Sequence, residues 1–379
     1  MPNDRPAPLI ELKAAGLYCA AGDFYVDPWK PVDRAVITHA HSDHSRWGNK
    51  HYLASRQSEG VMRSRLGDIS LQTLDYSERL RIGEATVSLH PAGHVLGSAQ
   101  VRIEVDGQVC VLSGDYKVQP DPTCAAFEVV PCHTFVTEST FGLPIYRWRE
   151  ESALMAEINA WWAMNAEAGR VSVIYAYAFG KAQRLLAGLN PSIGPIVCHG
   201  AVETLNDAYR ACGVALPETR MVTDVTDKSA LRRAMVIAPP STQGSRWLNR
   251  FGEYSDAFAS GWMQIRGARR RRALDRGFVL SDHADWPGLL SAIESTGASQ
   301  VYVTHGYVEP LVRWLNEHGI DGRSFKTEFG DENDEAADGE LAPSSAAGDP
   351  DGAPVAADDV IGKVVSGDSI DDSTEERGA

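Results

Sequence analysis

The chain has 379 residues, of which 43% are hydrophobic, enough for a large globular core and for more than one domain. No apolar run approaches the roughly 20 residues of a membrane-spanning helix, and the first residues lack the basic-then-apolar pattern of a secretion signal. We therefore expect a cytoplasmic protein without membrane contact. Its six cysteines are widely spaced and form no C-x-x-C pair, which favours reduced thiols.

The net charge of −15 is unevenly distributed along the chain. Residues 331–379 hold 15 of the 51 acidic side chains but only two of the 36 basic ones, which leaves a net charge of −2 on residues 1–330. Because this segment is also poor in aromatic residues, we expect a disordered acidic tail. A nearly neutral body with local basic runs does not exclude nucleic acid as a partner.

The first chemistry-bearing stretch follows a short apolar run at residues 35–37. It reads Thr-His-Ala-His-Ser-Asp-His over residues 38–44, which places three imidazoles and a carboxylate within six positions. Imidazole nitrogen and carboxylate oxygen are common ligands of Zn²⁺. Since the chain has only 11 histidines, this spacing favours a metal site over a polar surface loop. Asp27, which ends an earlier apolar run before a proline, is either a support for this site or an ordinary turn residue.

Further single residues follow short apolar strands downstream. His94 lies among small residues, Asp115 follows a strand and a glycine, and Glu138 closes another strand. His283 and His305 end two later strands. Each alone has an ordinary interpretation as a turn, cap or loop residue. Together with the first stretch they supply enough ligands for two metal ions that share a carboxylate.

The ligands divide naturally between two ions. We expect one ion to be held by His39, His41 and His94, and the other by Asp43, His44 and His305, with Asp115 bridging them.

From about residue 150 the pattern changes to helices that alternate with strands, as in a parallel sheet. A glycine-led helix start at residues 180–183 and an arginine run at residues 266–276 are candidates for phosphate contacts. The ordinary interpretations are a helix cap and a solvated loop. The candidate nucleic-acid contacts are Lys181, Arg269, Arg270, Arg271 and Arg272.

The combined motifs resemble those of a known superfamily. The ligand pattern His39-x-His41-x-Asp43-His44, with His94 and Asp115 downstream, resembles that of the metallo-β-lactamase superfamily. The motifs Glu138-Ser139-Thr140, His283 and His305-Gly306 resemble those that its β-CASP nucleic-acid-processing branch adds. The helix start at residues 180–183 resembles a Gly-Arg-x-Gln motif of that branch, with Lys181 in place of arginine. The runs at residues 16–19 and 33–38 are similar to those of bacterial ligase-associated DNA exonucleases.

The resemblance implies an α/β protein, namely a metallo-β-lactamase αββα sandwich with an inserted α/β β-CASP domain. The sandwich would comprise residues 1–147 and 271–330, the insert residues 148–270, and the acidic tail residues 331–379. The substrate would lie in the cleft between sandwich and insert.

The resemblance also implies hydrolysis of nucleic-acid phosphodiester bonds with two Zn²⁺ ions, or Mn²⁺, as cofactors. His283 would donate a proton to the leaving oxygen, Glu138 would orient His283, and Asp115 would bridge the metals. The expected function is that of a DNA exonuclease acting in DNA repair beside an ATP-dependent DNA ligase and a helicase.

Three alternatives stay open at this stage. Glu138 and His305 resemble the residues of RNA-processing members, which favours an RNA endonuclease or exonuclease of the mRNA 3′-end processing type. A small-molecule hydrolase would not need the insert or the added Glu138 and His283 motifs. A non-catalytic nucleic-acid-binding scaffold would not need all seven ligand positions to be filled.

Overall fold

The computed structural model describes residues 8–224, 228–265 and 274–329, which include nineteen strands. The strands are β1 (Glu11–Lys13), β2 (Gly16–Cys19), β3 (Phe24–Val26), β4 (Arg34–Val36), β5 (His51–Ser55), β6 (Leu71–Leu74), β7 (Arg79–Ile82), β8 (Ala85–Pro91), β9 (Ala99–Val105), β10 (Gln108–Leu112), β11 (Thr134–Ser139), β12 (Val171–Tyr175), β13 (Ile196–Cys198), β14 (Arg220–Met221), β15 (Met235–Ala238), β16 (Tyr254–Ala259), β17 (Arg276–Phe278), β18 (Gln300–Gly306) and β19 (Asp321–Ser324).

The helices lie between these strands. The α-helices are α1 (Glu59–Leu66), α2 (Glu151–Glu167), α3 (Lys181–Gly188), α4 (Gly200–Ala211), α5 (Lys228–Leu231), α6 (Trp286–Thr296) and α7 (Val308–Glu317). Helix α6 shows how the sequence sets its own bounds. The side chain of Asp285 accepts a hydrogen bond from the Gly288 N–H at the start, and Gly297 adopts the left-handed conformation at the end.

The first two sheets pack face to face around one apolar core. The first sheet has the order β1-β2-β3-β4-β5-β6 and the second the order β19-β18-β11-β10-β9-β8-β7. Leu17 and Leu53 of the first sheet and Val101 and Leu112 of the second belong to the same buried cluster. Fully burying one such side chain stabilises the fold by roughly 1.5–3 kcal/mol. The clustering therefore explains why these two sheets form the centre of a sandwich.

Helices cover the outer faces of both sheets. In β5, Leu53 points into the core between the sheets, whereas its neighbour Tyr52 points the other way, towards Met62 of α1. On the second sheet, Ile293 of α6 and Leu315 of α7 cover the outer face. The resulting order of layers is helix, sheet, sheet, helix, and the predicted αββα sandwich is confirmed.

The third sheet is built from strands between residues 171 and 278, in the order β14-β13-β15-β12-β16-β17. All its strand pairs are parallel, as the alternation of strands and helices predicts. Apolar side chains of α2 and α3 cover one face. Strand β17 lies beyond residue 270, where we predicted the insert to end. It pairs in parallel with β16 of the same sheet, and the boundary between sandwich and insert stays a prediction.

Two expectations from composition can be compared with the described residues. No helix among them combines the length and the apolar character needed to cross a membrane. All six cysteines are free, and four of them are buried. The predicted acidic tail at residues 331–379 lies outside the described residues.

Candidate metal centre and active site

Six of the seven candidate ligands lie just beyond the ends of strands from two different sheets, and His305 lies within β18, next to its last residue. The loop after β4 carries residues 38–44, and the loops after β8 and β10 carry His94 and Asp115. Gly114 has a positive φ of 56°, and a Cβ atom there would lie 2.6 Å from the Thr38 side chain. Only glycine fits such a contact, so Gly114 lets the Asp115 loop pass close to the histidine loop.

The first group of ligands consists of three imidazoles and a carboxylate. Nε2 of His39 and Nε2 of His94 each lie 3.1 Å from Nδ1 of His41. Oδ2 of Asp115 lies 3.6 Å from Nε2 of His39 and 3.9 Å from Nε2 of His94. All four side chains are buried, and their ligand atoms lie within 4.8 Å of one another. This group is compact enough to surround one metal ion.

The second group shares Asp115 with the first. Nε2 of His44 lies 3.6 Å from Oδ2 of Asp115 and 3.4 Å from Oδ2 of Asp43. Nε2 of His305 lies 3.2 Å from Oδ1 of Asp115. The structure therefore brings six of the seven predicted ligands into two groups that share Asp115, and Asp43 adjoins the second group through its contact with His44.

The donor atoms fit a cation. Oδ1 of Asp43 and Nε2 of His44 are buried without a hydrogen-bond partner, a costly state for polar atoms unless another group satisfies them. Burial lowers the pKa of His39 and of His94 well below the usual range and that of His41 to about 4, which keeps these imidazoles neutral and able to ligate. The buried cluster could thus bind metal ions.

His44 differs from the other imidazoles because carboxylates surround it. Burial lowers its pKa, but Asp43, Asp115 and Asp27 outweigh burial and raise the pKa of His44 to about 10. The surrounding negative charge that favours a proton on His44 would favour a metal cation in the same place.

The carboxylate of Asp27 holds residues 38–44, the loop that follows β4. Its Oδ1 accepts a hydrogen bond from the Thr38 N–H at 2.8 Å, and its Oδ2 accepts one from the Thr38 hydroxyl at 2.5 Å. The same Oδ2 lies 2.8 Å from Nδ1 of His44, which leaves Nε2 of His44 to face Asp115. Of the two interpretations that the sequence left open, the structure favours support of the site over an ordinary turn.

We expect Asp27→Asn to weaken metal binding at the His44 group by about 10–100-fold, because the imidazole loses the carboxylate that orients it. Asp27 has a positive φ of 44°, a conformation that asparagine tolerates well, so the backbone should be preserved. Competition titration with Zn²⁺ against a chromophoric chelator measures the change.

Asp23→Asn is the matched control, since Asp23 has a similar φ of 50° but is exposed. Equal Zn²⁺ affinities for the Asp27→Asn and Asp23→Asn variants would contradict the supporting role.

Glu138 and His283 form a pair beside the ligand groups. Oε2 of Glu138 lies 2.9 Å from Nδ1 of His283, and the Tyr116 and Thr140 N–H groups donate hydrogen bonds to the same carboxylate. Ligand atoms of Asp115, Glu138 and His283 lie within 4.8 Å of one another. The imidazole of His283, held by Glu138 at this distance from Asp115, can act on the same substrate atoms as a metal ion bound at Asp115.

The predicted nucleic-acid contacts have a different outcome. Arg269, Arg270, Arg271 and Arg272 lie outside the described residues. Lys181 is buried with 1% exposure, and its ammonium group lies 3.7 Å from Oδ2 of Asp282 and over the ring of Tyr177. In this structure Lys181 is therefore not a surface contact for nucleic acid, because its charge faces an internal carboxylate.

Three neighbours of the ligands were not predicted from the sequence. The backbone carbonyl of Asp282 lies 2.9 Å from Nδ1 of His94, and that of Phe179 lies 3.3 Å from Nε2 of His41. The ring of Phe329 stacks on His44 with a centroid distance of 4.4 Å. Every residue type has a backbone carbonyl, so nothing in the sequence indicated the two carbonyl contacts. Phe329 follows no recognisable pattern.

Comparison with known proteins found no matching family model. The chain is 29% identical over 309 residues to a probable DNA ligase of Opitutus terrae, a match that covers 81% of this chain and 30% of that protein. It is 35% identical over 169 residues to the endoribonuclease YSH1 of Gibberella zeae, which covers 43% of this chain and 19% of that protein. The chain thus spans less than a third of the length of these curated relatives.

One solved structure extends the comparison to the fold. It is a protein of unknown function from Enterococcus faecalis, which superposes with a TM-score of 0.51 and 11% identity. The match covers 78% of this chain and 80% of that one, so the two chains share a fold.

Proposed function

Since the chain belongs to the β-CASP branch of the metallo-β-lactamase superfamily, we propose that it is a metal-dependent nuclease that hydrolyses phosphodiester bonds of nucleic acid. The observation that carries the proposal is the placement of the Glu138–His283 pair next to Asp115, the carboxylate that both ligand groups share. A site that only bound metal for stability would not need that pair.

The proposed cofactors are two Zn²⁺ ions, with Mn²⁺ as the alternative, because imidazole dominates the donor set. The ligands proposed for the first ion are His39, His41 and His94, and those for the second are Asp43, His44 and His305, with Asp115 shared. When bound, the ions supply a water molecule of lowered pKa and offset the negative charge of the phosphate.

His283 and Glu138 are the proposed acid and its orienting group. The Glu138 carboxylate accepts a hydrogen bond from Nδ1–H of His283 and favours the doubly protonated ring, in which Nε2–H can give a proton to the leaving oxygen or donate a hydrogen bond to a phosphate oxygen. Two backbone N–H groups hold Glu138 in place, which limits its movement during proton transfer.

The proposed substrate is DNA, and the proposed activity is that of an exonuclease acting in DNA repair beside an ATP-dependent DNA ligase and a helicase. A relative whose match covers 81% of this chain is named a probable DNA ligase, which supports a link to DNA joining. RNA is the second candidate substrate, because the matched segment of an endoribonuclease is 35% identical. The complete ligand set argues against a non-catalytic scaffold.

The test uses the full chain with DNA and RNA strands of the same sequence, each labelled at the 5′ or at the 3′ end, with and without a chelator. We expect cleavage that a chelator abolishes and that added Zn²⁺ or Mn²⁺ restores. Mononucleotide release from DNA supports the exonuclease, whereas cleavage of RNA alone supports the alternative. A chain that binds metal but cleaves neither polymer would overturn the proposed function.

Removal of residues 331–379 is expected to tighten binding to nucleic acid at low salt, because it removes a net charge of −13 from a chain with a total of −15. The clustered core side chains lie within residues 8–329, so the melting temperature should stay nearly unchanged. Binding isotherms at two salt concentrations and thermal melting measure both effects. Unchanged affinity at both salt concentrations would show that the tail charge does not act on the substrate.

A further inference from the structure

A buried cluster of charged side chains lies against the His94 side of the metal centre. It contains three cations and three anions, namely Lys117, Lys181, Arg184, Asp121, Glu151 and Asp282. Five of the six side chains are at most 6% exposed, and Glu151 is 26% exposed. Such burial is costly for charges, so the balance of signs is needed to keep them ionised.

Arg184 is at the centre of this cluster. Its Nη2 lies 2.6 Å from Oε2 of Glu151, its Nε lies 3.3 Å from Oδ2 of Asp121, and its Nη1 lies 3.1 Å from Oδ1 of Asp282. Nη1 also donates a hydrogen bond to the backbone carbonyl of Ser281. Helix α3 thereby fixes both the side chain of Asp282 and the backbone before it.

The fixed segment, residues 281–283, holds two groups of the candidate active site. The carbonyl of Asp282 accepts a hydrogen bond from Nδ1 of His94 at 2.9 Å, which leaves Nε2 of His94 to face the ligand group. The next residue, His283, contacts Glu138. A movement of this segment would therefore disturb one metal ligand and the proposed acid together.

The charge on Asp282 is itself maintained by the cluster. Its carboxylate lies 3.7 Å from the ammonium group of Lys181 and 3.1 Å from Nη1 of Arg184. Asp282 is thus an anion between two cations. Loss of either cation weakens the attachment of its backbone to helix α3.

Buried ion pairs are by themselves weak evidence for stability, because desolvation offsets much of their attraction. If the cluster only stabilised the fold, its loss should weaken metal binding at both ligand groups to the same extent. Arg184 of this cluster contacts the backbone of residues 281–283, and that backbone contacts His94. The contacts given above for His44 do not include this segment. That asymmetry is what a positioning role predicts.

We propose that Arg184 and Asp282 are positioning residues, which hold residues 281–283 so that the Asp282 carbonyl orients His94 and His283 stays against Glu138. The inference rests on the proposed function, because it concerns a metal ion held by His94 and an acid at His283. The inference adds to the proposed function that helix α3, through Arg184, holds the backbone of residues 281–283 and so sets the orientation of His94 at the first metal site.

The test compares Zn²⁺ binding and nuclease activity of the full chain and its variants. Arg184→Met and Asp282→Asn should weaken one of the two bound Zn²⁺ ions by about 10–100-fold and leave the other nearly unchanged, as expected when an orienting contact is lost. The turnover number should fall with little change in KM. Arg184→Lys should restore part of the affinity, because lysine keeps the charge but not the fork geometry of arginine.

Lys117→Met is the matched control within the same cluster. Lys117 is equally buried and pairs with Asp121 and Glu151, so its loss tests the structural role alone. We expect a lower melting temperature for this variant but unchanged affinity for both Zn²⁺ ions. If Lys117→Met and Arg184→Met weaken Zn²⁺ binding equally, or if both ions are weakened together, the positioning role is wrong.

The two proposals fail in different ways. Zn²⁺ affinity is measured without substrate, so a wild-type chain that binds two ions but cleaves no nucleic acid overturns the proposed function and still decides the roles of Arg184 and Asp282. Selective loss of one ion in Arg184→Met then supports the positioning role. A wild-type chain that binds neither Zn²⁺ nor Mn²⁺ overturns both proposals.

Discussion

Asp115→Asn is expected to reduce phosphodiester hydrolysis by more than about 1000-fold, a factor equivalent to about 4 kcal/mol of lost transition-state stabilisation. The physical reason is that Asp115 contacts both ligand groups, at 3.6 Å from His39 and from His44 and at 3.2 Å from His305. The amide has nearly the same volume but lacks the charge and one of the two acceptor oxygens. Both ions should therefore bind more weakly, and metal content and cleavage rate should fall together.

Asp106→Asn is the matched control, because Asp106 is an exposed turn residue one strand away from Asp115. It should retain wild-type metal content and turnover. Circular dichroism melting should show a cooperative transition for both variants, since neither substitution alters the core side chains. Wild-type turnover by Asp115→Asn with normal metal content would show that Asp115 is not a shared ligand.

His283→Ala should lower the turnover number by about 100–10,000-fold, the usual contribution of a positioned general acid, with both metal ions retained. The metal ions should stay bound because His283 is outside the seven proposed ligands. Steady-state cleavage rates and metal analysis of the wild type and the variant measure both effects.

Glu138→Gln should produce a smaller loss, because the amide oxygen still accepts a hydrogen bond from His283 but carries no charge. His318→Ala is the control, since His318 is an exposed histidine that stacks on Trp314. Wild-type turnover in His283→Ala, or the loss of a metal ion, would contradict the acid role.

The donor set of the candidate site could be predicted from the sequence alone. Imidazole and carboxylate groups that follow apolar strands are recognisable because strand ends are local features and ligand chemistry belongs to residue type. The change from short strands to alternating helices and strands near residue 150 likewise predicted a separate parallel sheet. The αββα arrangement itself came from family resemblance, since strand order depends on pairing between distant segments.

The neighbours that hold those donors in place depend on the tertiary structure. Asp27 had two equally reasonable interpretations until its distance from His44 was known. Lys181 resembled a phosphate contact, yet packing encloses it against Asp282. The Asp282 carbonyl reaches His94 across 188 positions of sequence. Residue type specifies what a group can do, but burial and partner depend on long-range packing, which is why the sequence predicted the ligands and the fold determined how they are oriented.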